Sequence, residues 1–125
     1  MKQRMIRIND EIARVTASVI RSELSDPRIG TVVSVLRADT TTDLKYCKIA
    51  ISILDEPERQ QDTMKALQNA AGFIRRRIAE MINLRVTPEI KFIHDDSIVH
   101  AMRMIKLIED VNRNNSLNDI NGTDE

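Results

Sequence analysis

The chain is poor in the residues that most specialised sites require. Its 125 residues contain one cysteine, three glycines, three prolines, one tyrosine, two phenylalanines and no tryptophan. A lone Cys47 excludes an intrachain disulfide and any multi-cysteine zinc site. Three glycines cannot supply a GxxxxGK[ST] or GxGxxG phosphate loop, and neither pattern occurs. With Tyr46, Phe73 and Phe92 as the whole aromatic complement, an aromatic platform for stacking bases is excluded. The longest apolar run, Ile49 to Leu54, spans six residues and includes Ser52, so no membrane helix is expected. Basic residues near the start have no apolar stretch behind them, so no secretory signal is expected and the reducing cytoplasm is the expected location.

What is present is charge, unevenly placed. Nineteen basic and nineteen acidic residues cancel. By segment, residues 1–54 carry net +3, residues 55–62 net −3, residues 63–94 net +4 and residues 95–125 net −4. Basic segments of this kind can meet a polyanion while acidic ones face elsewhere.

Periodicity sets the elements. Met5, Ile8, Ile12, Val15 and Val19 recur at three- and four-residue spacings, which predicts a helix over 5–24. Arg7, Arg14 and Arg21 repeat every seven residues on its far side, with Arg4 near the start. Thr31–Ala38 reads as a strand, and Leu44–Leu54 alternates with Cys47, Ile49, Ile51 and Ile53 inward and Tyr46, Lys48, Ala50 and Ser52 outward. The short polar link between them predicts an antiparallel hairpin. Asp55-Glu56-Pro57 reads as a helix start with Asp55 as cap, and Met64, Leu67, Ala71, Ile74, Ile78 and Met81 mark the apolar face that follows. Gly72 within that face, after Asn69-Ala70-Ala71, predicts a kink, and a side chain at 72 is expected to crowd the helix pair. Glu89–Ile93 reads as a short strand, and a last helix follows Asp95-Asp96-Ser97. Residues 112–125 read as a disordered tail after a domain of residues 1–111. The expected fold is α+β, a two-layer domain ordered α-β-β-α-(kink)-α-β-α.

Little points to catalysis. His94, Asp95, Asp96 and His100 are close in sequence, but the acids already serve as helix caps and no matching ligand cluster exists elsewhere, so neither a metal nor a cofactor is expected. Cys47 points into the core and reads as a small hydrophobe. No enzyme is expected. Nucleic-acid binding is the better reading. Arg75, Arg76 and Arg77 follow the kink and fan out around the helix, with Lys65, Arg85 and Lys91 in the same half of the chain. Forked guanidinium donors suit a phosphate chain. Ala70 and Gly72 at the kink complete the expected primary site, and Arg4, Arg7, Arg14 and Arg21 form a secondary one. A KH-type layout, with a break between two helices beside a sheet, fits this order better than an aromatic sheet reader, though GXXG is absent.

Four stretches together resemble the ribosome-binding factor A family. They are helix one into Asp26-Pro27-Arg28-Ile29; Thr42-Asp43-Leu44-Lys45-Tyr46; Leu67 through Gly72 to Arg75; and Leu84-Arg85-Val86-Thr87-Pro88-Glu89-Ile90-Lys91-Phe92 with Asp95-Asp96-Ser97. The chain departs at Val99-His100-Ala101, where the family commonly has a charged residue and a glycine. The resemblance implies a type II KH-like fold whose Ala-x-Gly kink, here Ala70-Ala71-Gly72, replaces GXXG. It implies binding, as a monomer, to 16S rRNA near the neck of free, immature 30S subunits, and late maturation including 5′-end processing, important in the cold. It also implies release aided by an assembly GTPase. The alternatives are a general single-stranded RNA-binding protein of KH type acting on mRNA and a protein-interaction module whose basic face meets an acidic partner.

Overall fold

The computed structural model describes residues 2–26, 29 and 32–122, with side chains over 3–26, 29 and 33–115. Along the chain run α1 (Lys2–Ser22), β1 (Val32–Thr40), β2 (Tyr46–Leu54), α2 (Pro57–Asn69), α3 (Ala71–Met81), β3 (Glu89–His94) and α4 (Ser97–Gly122). This is the α+β order expected from periodicity. The first helix ends at Ser22, earlier than expected; Thr31, the expected start of the first strand, and Pro27 and Arg28 of the family-like stretch lie outside the described residues.

The sheet runs β1-β2-β3. β1 and β2 pair antiparallel, with a register shift between Val35 and Arg37. β2 and β3 pair parallel, as the helical crossover α2–α3 requires. The connecting turn is held by Thr41, whose hydroxyl donates to Asp43 Oδ1 at 2.6 Å and accepts the Tyr46 N–H at 3.1 Å. Leu44, at φ 63, takes the left-handed conformation that this turn demands. β1 runs two residues past its expected end at Ala38 because Asp39 and Thr40 pair with Lys48 and Cys47 of β2, and Asn9 Oδ1 of α1 accepts the Thr40 N–H at 3.0 Å.

One face of the sheet carries the core. Cys47, Ile49, Ile51, Ile53, Ile90 and Phe92 meet Ile8, Ile12, Val15 and Val19 of α1 and Leu67, Ala71, Ile74 and Ile78 of α2 and α3. Burial raises the pKa of Cys47 above the usual thiol range, so it stays protonated among isoleucines. Ala50 and Ser52 are buried too, although alternation turns them to the other face. They are small side chains at the middle of the central strand. Ile82, not Met81, closes the lower end of the core: Ile82 is buried and Met81 exposed.

The edge of β3 is managed by side chains. Gln68 of α2 donates to the Ile90 carbonyl at 3.4 Å and accepts the Phe92 N–H at 3.1 Å, so part of the edge is already bonded. The cap of α2 also differs from expectation. Glu56 is the N-cap and makes no side-chain cap bond, while Asp55 Oδ1 accepts the neighbouring Glu56 N–H at 2.8 Å.

Residues 1–95 form one unit and residues 96–125 another. Within the second, α4 is one helix whose Ile98, Met102, Ile105 and Ile108 fall on a stripe, with His100 Nε2 2.9 Å from Asp96 Oδ2. It continues to Gly122, through residues 112–122 of the stretch that sequence reading made a disordered tail beyond a 1–111 domain. Asparagine-rich sequence lowers helix propensity by only tenths of a kcal/mol per residue. No proline or glycine interrupts before Gly122.

Candidate nucleic-acid interface

The structure distributes the basic residues over four places. The kink lies where expected: α2 ends at Asn69, Ala70 turns with φ −86 and ψ −1, and α3 begins at Ala71. Its backbone is satisfied, since the Ala70 N–H reaches the Ala66 and Leu67 carbonyls at 3.1 Å and the Ala70 carbonyl accepts the Ile74 N–H at 2.9 Å. The glycine is not needed for room. A Cβ added at Gly72 meets nothing within 4 Å, so a methyl group there does not crowd the helix pair. Gly72 faces open space.

The arginine run beyond the kink divides by its partners. Arg75 donates through Nε and Nη2 to the Thr87 carbonyl, at 3.3 and 3.0 Å, and so ties α3 to the approach to β3. Arg77 is held by Glu23 at the end of α1, at 3.0 Å, and by Glu80, at 2.6 Å. The Glu80 and then the Glu23 hydrogen bonds raise its pKa further. Arg76 alone of the three is exposed without a hydrogen bond or ion pair to a described residue. On α2, Lys65 is likewise exposed and unpartnered. The hollow beside the kink is lined by Glu23, Asp26, Asn69, Ala70 and Phe73 among others, and its Glu23 is already held by Arg77.

Lys91 is not brought to this group. Ile90 and Phe92 face the helices, so Lys91 faces the opposite side of the sheet. There it is the register partner of Lys48 on β2. Two like charges side by side on neighbouring strands are unfavourable unless an anion offsets them. Sequence reading turned Lys48 outward but did not count it as a site residue; only the parallel register reveals the pair.

Arg85 is separated as well. It lies with Arg4 around a cleft of about 870 Å³ between the start of α1, the β1–β2 turn and the segment before β3. Arg7, Arg14 and Arg21 occupy the outer side of α1, all exposed and without a partner among the described residues. At about 1.5 Å per residue, each is about 10.5 Å from the next along the helix axis.

No group of three or more histidine, cysteine or acidic side chains that could hold a metal ion occurs among the described residues. The Asp95 carboxylate, one of the sequence candidates, bonds Arg37 at 3.1 Å. No helix in those residues is long and apolar enough to cross a membrane.

A helix–kink–helix beside a three-stranded sheet, carrying exposed unpaired arginines, can be compared with known proteins. The sequence profile of one family, ribosome-binding factor A, matches residues 4–108. The chain belongs to the ribosome-binding factor A family. It is 43% identical over 119 residues to ribosome-binding factor A of Lachnospira eligens, covering 95% of this chain and 92% of that one. It is 45% identical over 109 residues to that of Agathobacter rectalis, covering 87% and 90%. Among solved structures, a Thermotoga maritima protein described as a putative ribosome binding factor A superposes with a TM-score of 0.63 at 31% identity, over 73% of this chain and 86% of that one. The crystal structure of ribosome-binding factor A from Thermus thermophilus gives 0.64 at 20% identity, over 72% and 93%, and speaks for the fold alone. A homology model of Thermus thermophilus ribosome binding factor A, fitted into a cryo-EM map of its 30S complex, superposes with a TM-score of 0.57 at 20% identity, over 70% of this chain and 91% of that one.

Proposed function

We propose that this chain binds free, immature 30S subunits through 16S rRNA near the neck and promotes their late maturation, including processing of the 16S 5′ end, with most effect in the cold. It acts in the cytoplasm as a monomer, without a cofactor, and its release is aided by an assembly GTPase. Family membership supports the ribosomal partner. The observation that carries the interface is a group of exposed basic side chains without a partner among the described residues, which includes Arg7, Arg14 and Arg21 on α1, Lys65 and Arg76 on α2 and α3, and Lys48 with Lys91 on the sheet.

Each is a donor to phosphate that costs no internal contact to use. The open space over Gly72 lets a backbone approach the start of α3. In this reading Arg75 and Arg77 hold the kinked pair in place and Arg76 touches rRNA. Contacts of this kind position a partner rather than read its sequence; pairing within the rRNA supplies specificity.

Sucrose-gradient sedimentation of lysate tests this. The protein is expected with free 30S subunits and absent from translating ribosomes, and a deletion strain is expected to accumulate 16S precursor, most at low temperature. A normal rRNA profile in the cold, or equal distribution over mixed transcripts, overturns the reading.

A further inference from the structure

The cleft shared by Arg4 and Arg85 does not resemble a phosphate site. Its walls are mostly aliphatic, from Met5, Ile6, Leu44 and Val86 among others, and its volume of about 870 Å³ is that of a pocket able to enclose ligand side chains. Ile6 is 58% exposed and Val86 43%, and Ile6 lies off the face that α1 buries in the core. The fold has no use for its side chain there. Single exposed aliphatics are ordinary; several sharing one concavity mark a binding surface. Leu44 holds its place in the wall at φ 63, where asparagine or glycine would be less strained.

The polar groups define the occupant. Arg4 and Arg85 are exposed and have no partner among the described residues. The acid in the lining, Asp43, is committed to its own turn: its carboxylate accepts the Thr41 hydroxyl and then the Lys45 N–H, which hold its pKa below the usual carboxylate range. Two forked cations thus flank an aliphatic hollow. No aromatic side chain lines it to stack a base, and a sugar–phosphate chain gains nothing from an aliphatic wall. A polypeptide bearing leucine or isoleucine beside glutamate or aspartate satisfies both features at once.

We infer that this cleft is a docking site for an acidic, amphipathic segment of a protein partner, with its apolar side chains between Ile6, Leu44 and Val86 and its carboxylates on Arg4 and Arg85. This assigns to a protein partner two arginines, Arg4 and Arg85, that the sequence placed with the RNA-binding residues; Arg7, Arg14, Arg21, Lys65 and Arg76 do not line the cleft.

The test is amide chemical-shift mapping on the full chain with three probes. They are a helix-forming peptide with leucines three and four apart and glutamates between, its lysine counterpart, and oligouridylate. The glutamate peptide is expected to shift Ile6, Leu44, Arg85 and Val86 and the other two are not. Arg4→Glu with Arg85→Glu is expected to weaken peptide binding by about tenfold or more, and Ile6→Asp by a similar factor. Both are exposed substitutions, and an unchanged spectrum away from the cleft checks the fold. Equal binding of the lysine peptide, shifts at these amides from oligouridylate instead, or no shift with the glutamate peptide at millimolar concentration overturns the proposal.

Discussion

The two arginine arrays of this protein are built alike in composition and differently in use. Arg75, Arg76 and Arg77 are consecutive on α3; Arg7, Arg14 and Arg21 are spaced a heptad apart on α1. Consecutive helix residues point in three directions about 100° apart, so at least one of them must run along neighbouring structure. Two do. Arg75 bonds the Thr87 carbonyl and Arg77 the carboxylates of Glu23 and Glu80. The heptad array keeps one direction, opposite the buried face, and none of its three members has a partner among the described residues. A dense cluster in sequence is therefore a poorer guide to available charge than a sparse stripe.

The comparison breaks most sharply under charge reversal. Arg7→Glu, Arg14→Glu and Arg21→Glu together are expected to weaken 30S binding by about a hundredfold or more, since three phosphate contacts become repulsions. Circular dichroism is expected to be unchanged, because the Ile8, Ile12, Val15 and Val19 face is untouched. Retained binding would place the interface elsewhere. Next comes Arg76→Glu, for which a loss of about tenfold is expected with no change in melting temperature. The salt slope of binding measured on Arg76→Ala is expected to be shallower than that of the parent by about one contact or less.

Arg77→Ala sharpens the contrast from the other side. Its ion pairs are partly exposed and screened by solvent, so only a small loss of stability is expected, read by urea denaturation, with 30S affinity nearly unchanged. If Arg77→Ala weakens binding as strongly as Arg76→Glu, the division between holding and contacting residues fails. The smallest effect is expected from Gly72→Ala. Alanine favours helix over glycine by about 1 kcal/mol in a helix interior and by less in this first turn, and nothing within 4 Å obstructs the added methyl. Thermal melting is expected to show equal or slightly higher stability. A measurable drop in 30S affinity in that same variant would mark Gly72 as a point of close approach.

Much of the fold was legible because one-face burial writes a period into sequence. The stripe from Met5 to Val19 marked α1, alternation through Cys47, Ile49, Ile51 and Ile53 marked the inner face of β2, and Gly72 in an apolar helical pattern marked the break at Ala70. Ends were less legible, since pairing with another strand moves them: the ladder with Lys48 and Cys47 carries β1 to Thr40. The helical stretch beyond residue 111 was missed because its asparagines weaken propensity without breaking the backbone.

Sequence alone determined which side chains are basic, which helix faces are buried, and that a helix pair bends beside a sheet. Local periodicity suffices for these, because residues three or four apart on a helix and two apart on a strand share a face. The tertiary structure decided which charges remain available. Glu23 reaches Arg77 across 54 residues of chain, the parallel register sets Lys48 beside Lys91, and the closure of α1 over the sheet brings Arg4 to the cleft that Arg85 lines. Such pairings depend on how elements pack in space, and side-chain electrostatics acts over a few ångströms of space rather than along the chain.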